Sequence, residues 1–194
     1  MNEAYAQPAL PDGVRDDVIR GLYRVAPSRG AAQVRLLGSG AILPEVLAAA
    51  ALLRDDWGVD AEAWSATSYS ELARDARDAQ REARLRPGAA VRASHLERCL
   101  AGDAPVVAAS DYVVAWPQLI APYLRAPFTA LGTDGFGRSD TRAALRRFFE
   151  VDRHHVAVAA LHALERVGAL DASVRARAIE RYRIDGDAPA PWSA

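Results

Sequence analysis

The residues best suited to chemistry stand in one short run, Gly132, Asp134, Gly135, Gly137, Arg138, Ser139 and Asp140. Three glycines within six positions let the backbone turn sharply and pass close to a neighbour, because glycine tolerates positive φ. Asp134, Arg138, Ser139 and Asp140 add two carboxylates, a guanidinium and a hydroxyl. Such a set has two uses. It can hold a small anion, or it can form an Arg–Asp network that pins the loop against a neighbouring domain or subunit. Neither use is catalytic.

The other chemical signals are weaker. Gly38-Ser-Gly40 follows an expected strand and precedes an expected helix, which invites a dinucleotide-binding reading, but the third glycine of that fingerprint is replaced by Leu43. A tight structural turn is the stronger reading there, with an anion at the helix N-terminus as the alternative. His155 and His162 are seven residues apart and share a helix face, without a third ligand at metal spacing. Cys99, the only cysteine, excludes an internal disulfide and reads as a buried structural thiol. All 24 basic residues are arginine, so no lysine Schiff base or lysine general base can operate. Neither a Gly-x-Ser-x-Gly elbow nor a phosphate-binding loop of the Walker type occurs.

The elements that must position these residues follow from periodicity and punctuation. Residues 1–13 contain Pro8, Pro11 and Gly13 and read as a linker; 14–186 form one domain; 187–194 read as a flexible, fraying tail. Alternation at Val18, Arg20, Leu22 and Arg24 predicts a strand over 18–26, a turn at 27–30, and a second strand over 33–37 paired with the first as an edge hairpin. Leu43, Val46, Leu47, Ala50, Leu53 and Trp57 recur at helical spacing. A strand over 60–66 precedes a helix to about Leu85 that opens on Ser68 and Glu71 in capping-box spacing. That helix has a narrow alanine-rich stripe and is expected against the sheet or another subunit. A short helix over 94–101, an apolar strand at 106–109, a helix over 116–124 and a strand at 128–131 come next. Three helices close the chain, over 141–149, 152–167 and 171–182, the first capped by Asp140. Strands separated by helices require crossovers. The expected fold is therefore α/β, a three-layer α/β/α sandwich whose sheet is mostly parallel with one antiparallel edge strand.

Composition narrows the function classes. At 194 residues with half of them apolar, one domain with a sizeable core is expected. A net charge of −1 offers nothing to nucleic acid or an anionic membrane. There is no signal-peptide pattern, and no apolar run approaches the roughly 18 residues of a membrane span. The expectation is a cytoplasmic protein.

Several blocks together resemble one family. Leu131-Gly-Thr-Asp-Gly-Phe-Gly-Arg-Ser-Asp140, Val34-Arg-Leu-Leu-Gly-Ser-Gly40, Ala66-Thr-Ser-Tyr-Ser-Glu-Leu-Ala-Arg-Asp75, Phe149-Glu-Val-Asp152 and Val156-Ala-Val-Ala-Ala-Leu161 stand in the order found in the C-terminal, transketolase-like domain of the homodimeric pyruvate dehydrogenases. Asn2-Glu-Ala-Tyr5 and Pro8-Ala-Leu-Pro11 resemble the linker that enters that domain. The resemblance implies a parent oxidoreductase that decarboxylates pyruvate on thiamine diphosphate and magnesium, then reductively acetylates the lipoyl groups of a dihydrolipoyl acyltransferase core.

In that family the cofactor lies between the first and middle domains of two subunits. The resemblance therefore implies no catalytic, cofactor-binding or metal residue in this chain, which alone would be inactive. The sequence agrees: Asp185-Gly-Asp187 has no asparagine after it, and none follows Asn2. The implied roles are dimer assembly, docking or regulation, with the remaining domains and a second subunit as partners. For a terminal domain of a dimer, interface is the stronger reading of the Gly132–Asp140 loop, and an excised domain would expose apolar surface and self-associate. The alternatives are a stand-alone small-anion or protein-binding α/β module, a nucleotide-binding enzyme using Gly38–Gly40, or a related 2-oxo acid dehydrogenase or transketolase-like parent.

Overall fold

The structure, a computed structural model, describes residues 7–193. The stretch Asn2–Tyr5 and nearly half of the expected linker therefore lie outside the described residues. Five strands form one sheet: β1 (Leu22–Ala26), β2 (Val34–Gly38), β3 (Ala61–Ala66), β4 (Val106–Ala109) and β5 (Phe128–Leu131), in the spatial order β1-β3-β2-β4-β5. Strands β3, β2, β4 and β5 run parallel, and β1 closes one edge antiparallel to β3, with Leu22 opposite Ala66.

Side chains alternate across the sheet and bury two cores. On one face Val34, Leu36, Ala63, Val107 and Ala109 pack under α2 (Leu43–Trp57), α7 (Arg153–Arg166) and α8 (Ala172–Arg181). On the other face Leu37, Trp64, Val106 and Ala108 pack under α3 (Tyr69–Leu85), α4 (His95–Cys99) and the segment after β4. Each fully buried leucine, such as Leu36 or Leu53, contributes about 2 kcal/mol by leaving water. The expected three-layer sandwich with one antiparallel edge is the fold observed.

Two local expectations are corrected. Residues 18–19 are not strand: α1 (Arg15–Ile19) precedes β1, and the chain turns at Gly21 with φ +100°. A Cβ at Gly21 would stand 2.5 Å from the Ser68 carbonyl oxygen, so only glycine lets the chain pass there. The edge hairpin does not form either, because β1 pairs with β3 and not with β2. The connection at 27–33 instead crosses the end of β3. It is stapled there by Gly30 N–H donating to Asp60 Oδ2 (2.8 Å), Gln33 N–H to the Asp60 carbonyl (2.9 Å), and Asp60 N–H to Gln33 Oε1 (2.8 Å).

Helix starts follow their caps. Ser68 Oγ accepts from Glu71 N–H (3.2 Å), but Glu71 turns to Arg74 rather than back to the cap; both halves of the box are made at Ser94 and Glu97, at the start of α4. Along α3, Tyr69 and Leu72 enter the core beneath it, and Ala73, Ala76 and Ala79 are buried. The helix expected over 116–124 splits into α5 (Ala115–Gln118) and a 3-10 turn at Ala121–Tyr123, because Pro122 cannot donate to a continuing helix. The N-cap of α6 (Arg142–Phe148) is Thr141, whose Oγ1 accepts from Ala144 N–H at 3.3 Å. Asp140 is one residue early and accepts Thr141 N–H at 2.7 Å.

Candidate functional site

The carboxyl ends of the parallel strands gather both regions of interest. The Gly132–Asp140 loop leaves β5 there and turns back under α6. Gly132 is required by close approach: a Cβ would lie 2.6 Å from Val114 N and 2.7 Å from the Tyr112 carbonyl. Thr133 N–H donates to that carbonyl (2.9 Å), and Thr133 Oγ1 donates to the Asp111 carbonyl (2.8 Å). Asp134 Oδ2 accepts from Val114 N–H at 3.1 Å, tying the loop to the residue before α5. Gly135, at φ +105°, is pressed on a 3-10 turn at Pro191–Ser193; a Cβ there would meet the Pro191 carbonyl at 2.7 Å. The Arg138 guanidinium lies 4.1 Å from the Phe148 ring centroid, a cation–π contact. Gly137 and Ser139 are exposed, and Phe136 is 86% exposed.

The loop thus brings its predicted residues together mainly to hold itself. A cleft of about 310 Å³ beneath it is bordered by Arg138, Arg142, Arg146 and Asp111. Arg138 is stacked on Phe148, and Arg146 is paired with Glu45.

Glu45, 5% exposed in the first turn of α2, organises this corner. Its Oε1 accepts from Arg146 Nη1 (2.8 Å) and Arg153 Nη2 (3.1 Å), and its Oε2 from Arg153 Nε (2.9 Å) and Arg153 N–H (3.0 Å). Arg146 also donates to the Ala41 carbonyl at 3.0 Å. Burial raises the Glu45 pKa, but the hydrogen bonds and charge of Arg153, with the charge of Arg146, outweigh it and hold the carboxyl below its usual value. Sequence reading missed this residue, since a glutamate in a first helical turn is ordinary; its partners lie 101 and 108 residues away.

The remaining candidates are structural. Gly38 is where β2 meets α2: a Cβ would lie 2.8 Å from Leu43 Cα, so this glycine serves packing. His155 Nδ1 lies 2.8 Å from Asp152 Oδ1, the carboxylate that caps α7, while His162 is half-exposed beside Glu165. Among the described residues no three His, Cys, Asp or Glu side chains converge as a metal-ligand set. The Cys99 thiol is half-buried beside the buried His95, and burial, aided by the charge of Asp17, pushes its pKa up to about 11. Such a thiol is a poor nucleophile at neutral pH. His95 Nε2 donates to the Leu22 carbonyl (2.8 Å), joining α4 to β1.

A second, larger cleft was not anticipated. It measures about 660 Å³ and opens beyond β2, β3 and β4, where α2 and α3 begin. Ser39 and Gly40 border it from β2, residues 65–70 from β3, and Ser110, Asp111 and Tyr112 from β4. Tyr69 and Ser39 stand in its wall, their hydroxyls buried and without hydrogen-bond partners. Burial pushes Tyr69 up to about 12; Ser39 is near enough to oppose that rise without reaching hydrogen-bond geometry.

Residues 21–152 match the family described as the transketolase-like TK C-terminal domain. The chain is 45% identical to the pyruvate dehydrogenase E1 component of Cupriavidus necator over 197 residues, covering 100% of this chain and 22% of that protein. It is 42% identical to the pyruvate dehydrogenase E1 component of Escherichia coli over 189 residues, 96% of this chain and 21% of that one. It thus spans about a fifth of the length of these curated relatives. Among solved structures, a transketolase from Pichia stipitis superposes with a TM-score of 0.57 at 15% identity, over 80% of this chain and 20% of its own, which is a likeness of fold. With its central 132-residue segment matched and its curated relatives 42–47% identical over nearly the whole chain, the chain belongs to the transketolase-like C-terminal domain family.

Proposed function

We propose that this chain serves as the C-terminal domain of a thiamine-diphosphate-dependent pyruvate dehydrogenase, an oxidoreductase that decarboxylates pyruvate and reductively acetylates lipoyl groups. The observation that carries this reading is identity of 42–47% to pyruvate dehydrogenase E1 components over nearly the whole chain. Thiamine diphosphate and magnesium are assigned to the other parts of the parent, as the family resemblance implies, and no catalytic step is assigned to this chain.

Its role in the parent is assembly, in a homodimer that acts in the cytoplasm with a dihydrolipoyl acyltransferase core. The Gly132–Asp140 loop favours an interface over an anion site on two grounds. Asp134, Arg138 and Asp140 already have partners within the fold. The exposed apolar groups at the loop are Phe136 (86%) and, on the turn against Gly135, Trp192 (65%). Exposed aromatic side chains are what interfaces use as anchors.

Complementation tests the reading. The Cupriavidus necator relative, shortened by the region this chain matches, is co-expressed with the chain and assayed for pyruvate-dependent acetylation of a lipoyl domain. Restored activity in a stable complex supports the proposal, with Phe136→Ser expected to weaken that complex. A soluble shortened enzyme equally active with and without the chain would overturn it.

A further inference from the structure

The larger cleft carries chemistry that the family reading leaves unused. It lies at the point where the chain leaves β2 for α2 on one face of the sheet and leaves β4 for the opposite face. Open parallel sheets hold ligands at such switch points. Its volume of about 660 Å³ lies within the roughly 300–1,000 Å³ of small-molecule sites.

The wall selects the kind of ligand. Buried hydroxyls are normally paired, yet those of Tyr69 (7% exposed) and Ser39 are not. Trp116 (46% exposed) and Tyr112 (65% exposed) offer ring faces at the mouth, and Asp111 adds one carboxylate. The chain has 24 arginines, and none is among the described residues that line the cleft; nor is any histidine. A polyphosphate would find no cationic side chain there and would face Asp111. Hydroxyls, a single acceptor carboxylate and aromatic faces instead match a molecule with many hydroxyls on one side and C–H groups on the other.

We propose that this cleft binds a small neutral polyhydroxylated molecule, of the sugar or polyol class. Tyr69, Ser39 and Asp111 take its hydroxyls, and Trp116 takes its C–H face. The assignment rests on the cleft itself and stands apart from the pyruvate dehydrogenase reading.

The test is a titration of ribose into the full, 15N-labelled chain, with ATP as the contrasting probe. The expected result is saturable amide shifts at positions 39–40, 67–70 and 110–112 with ribose and none there with ATP. Tyr69→Phe removes a hydroxyl that is unpaired in the free chain. Its melting temperature is therefore expected to hold or rise, while ribose affinity falls about fivefold, the worth of one hydrogen bond. A tyrosine of purely structural value would show the reverse. Trp116→Ala, at a half-exposed position, is expected to weaken binding with the melting temperature unchanged. The proposal is overturned by the absence of saturable shifts at high millimolar ribose, by binding of ATP at the cleft in its place, or by full ribose affinity in both variants.

Discussion

The loop after β5 and the cleft beyond β2, β3 and β4 share one end of the sheet but use their polar groups in opposite ways. In the loop nearly every named polar residue is satisfied within the fold: Asp134 by Val114, Thr133 by Asp111 and Tyr112, Asp140 by Thr141, Arg138 by the Phe148 ring. In the cleft two buried hydroxyls make no hydrogen bond. The difference teaches that a run dense in glycine, aspartate and arginine can be a structural device. A site fit for a ligand can meanwhile be assembled from scattered serines and aromatic residues that attract no notice.

Substitutions test the two regions separately. The largest loss is expected for Glu45→Ala, which removes the common acceptor of Arg146 and Arg153 under the loop. With Arg153 half-exposed, the cost is about 3 kcal/mol, read from denaturant unfolding. The pH dependence has a definite sign. The Glu45 carboxyl titrates below its usual value in the folded chain. Its contribution is therefore complete above its unfolded pKa of about 4.3 and is lost as pH falls through the folded value. Glu45→Gln should flatten that acid limb, and an unchanged limb would show that the tie carries little weight.

Gly132→Ala is expected to cost about 2 kcal/mol, since the new methyl group meets backbone atoms of Tyr112 and Val114 and cannot be accommodated by side-chain motion. With Thr133, Gly132 lies where the two regions touch, because Asp111 and Tyr112 line the cleft. Amide shifts at residues 110–112 would report the coupling. Asp134→Ala should cost about 1.5 kcal/mol through the charged hydrogen bond to Val114 N–H, with ribose binding intact. The smallest effect is expected for Arg138→Ala, about 0.5 kcal/mol for an exposed cation–π contact, measured by thermal melting. A loss several times larger would show that Arg138 does more in the loop than cover Phe148.

Much of the fold was legible because its signals are local. Val106–Ala109 reads as a strand buried on both faces, and Ser68 and Asp152 mark helix starts through side-chain caps that the structure makes. The errors arose where a distant contact outranks local pattern. Alternation over Val18–Arg24 looks like a strand, but Gly21 must turn against the Ser68 carbonyl, so the first part becomes helix. Adjacent strands suggest a hairpin, yet Asp60 and Gln33 staple the connection across the end of β3. At the carboxyl edge, the Gly132–Asp140 loop was visible as a motif, while its use of those residues was not, because their partners are backbone groups elsewhere. Of the cleft only the Gly38–Gly40 turn stood out in the sequence, since Ser39, Tyr69 and Asp111 belong to three different strand ends.

The Glu45 tie has a consequence for the order in which the chain takes shape. Synthesis runs from the amino terminus, so α2 emerges with β2 and β3 long before Arg146 and Arg153 exist to receive its carboxylate. Until α7 arrives, the apolar side of α2 around Leu53 also lacks its cover. A nascent chain halted near residue 140 would hold a sheet with one face covered by α2 alone. Completion of the second face waits for α7 and α8, and an intermediate that stops short of them is the species most in need of a chaperone.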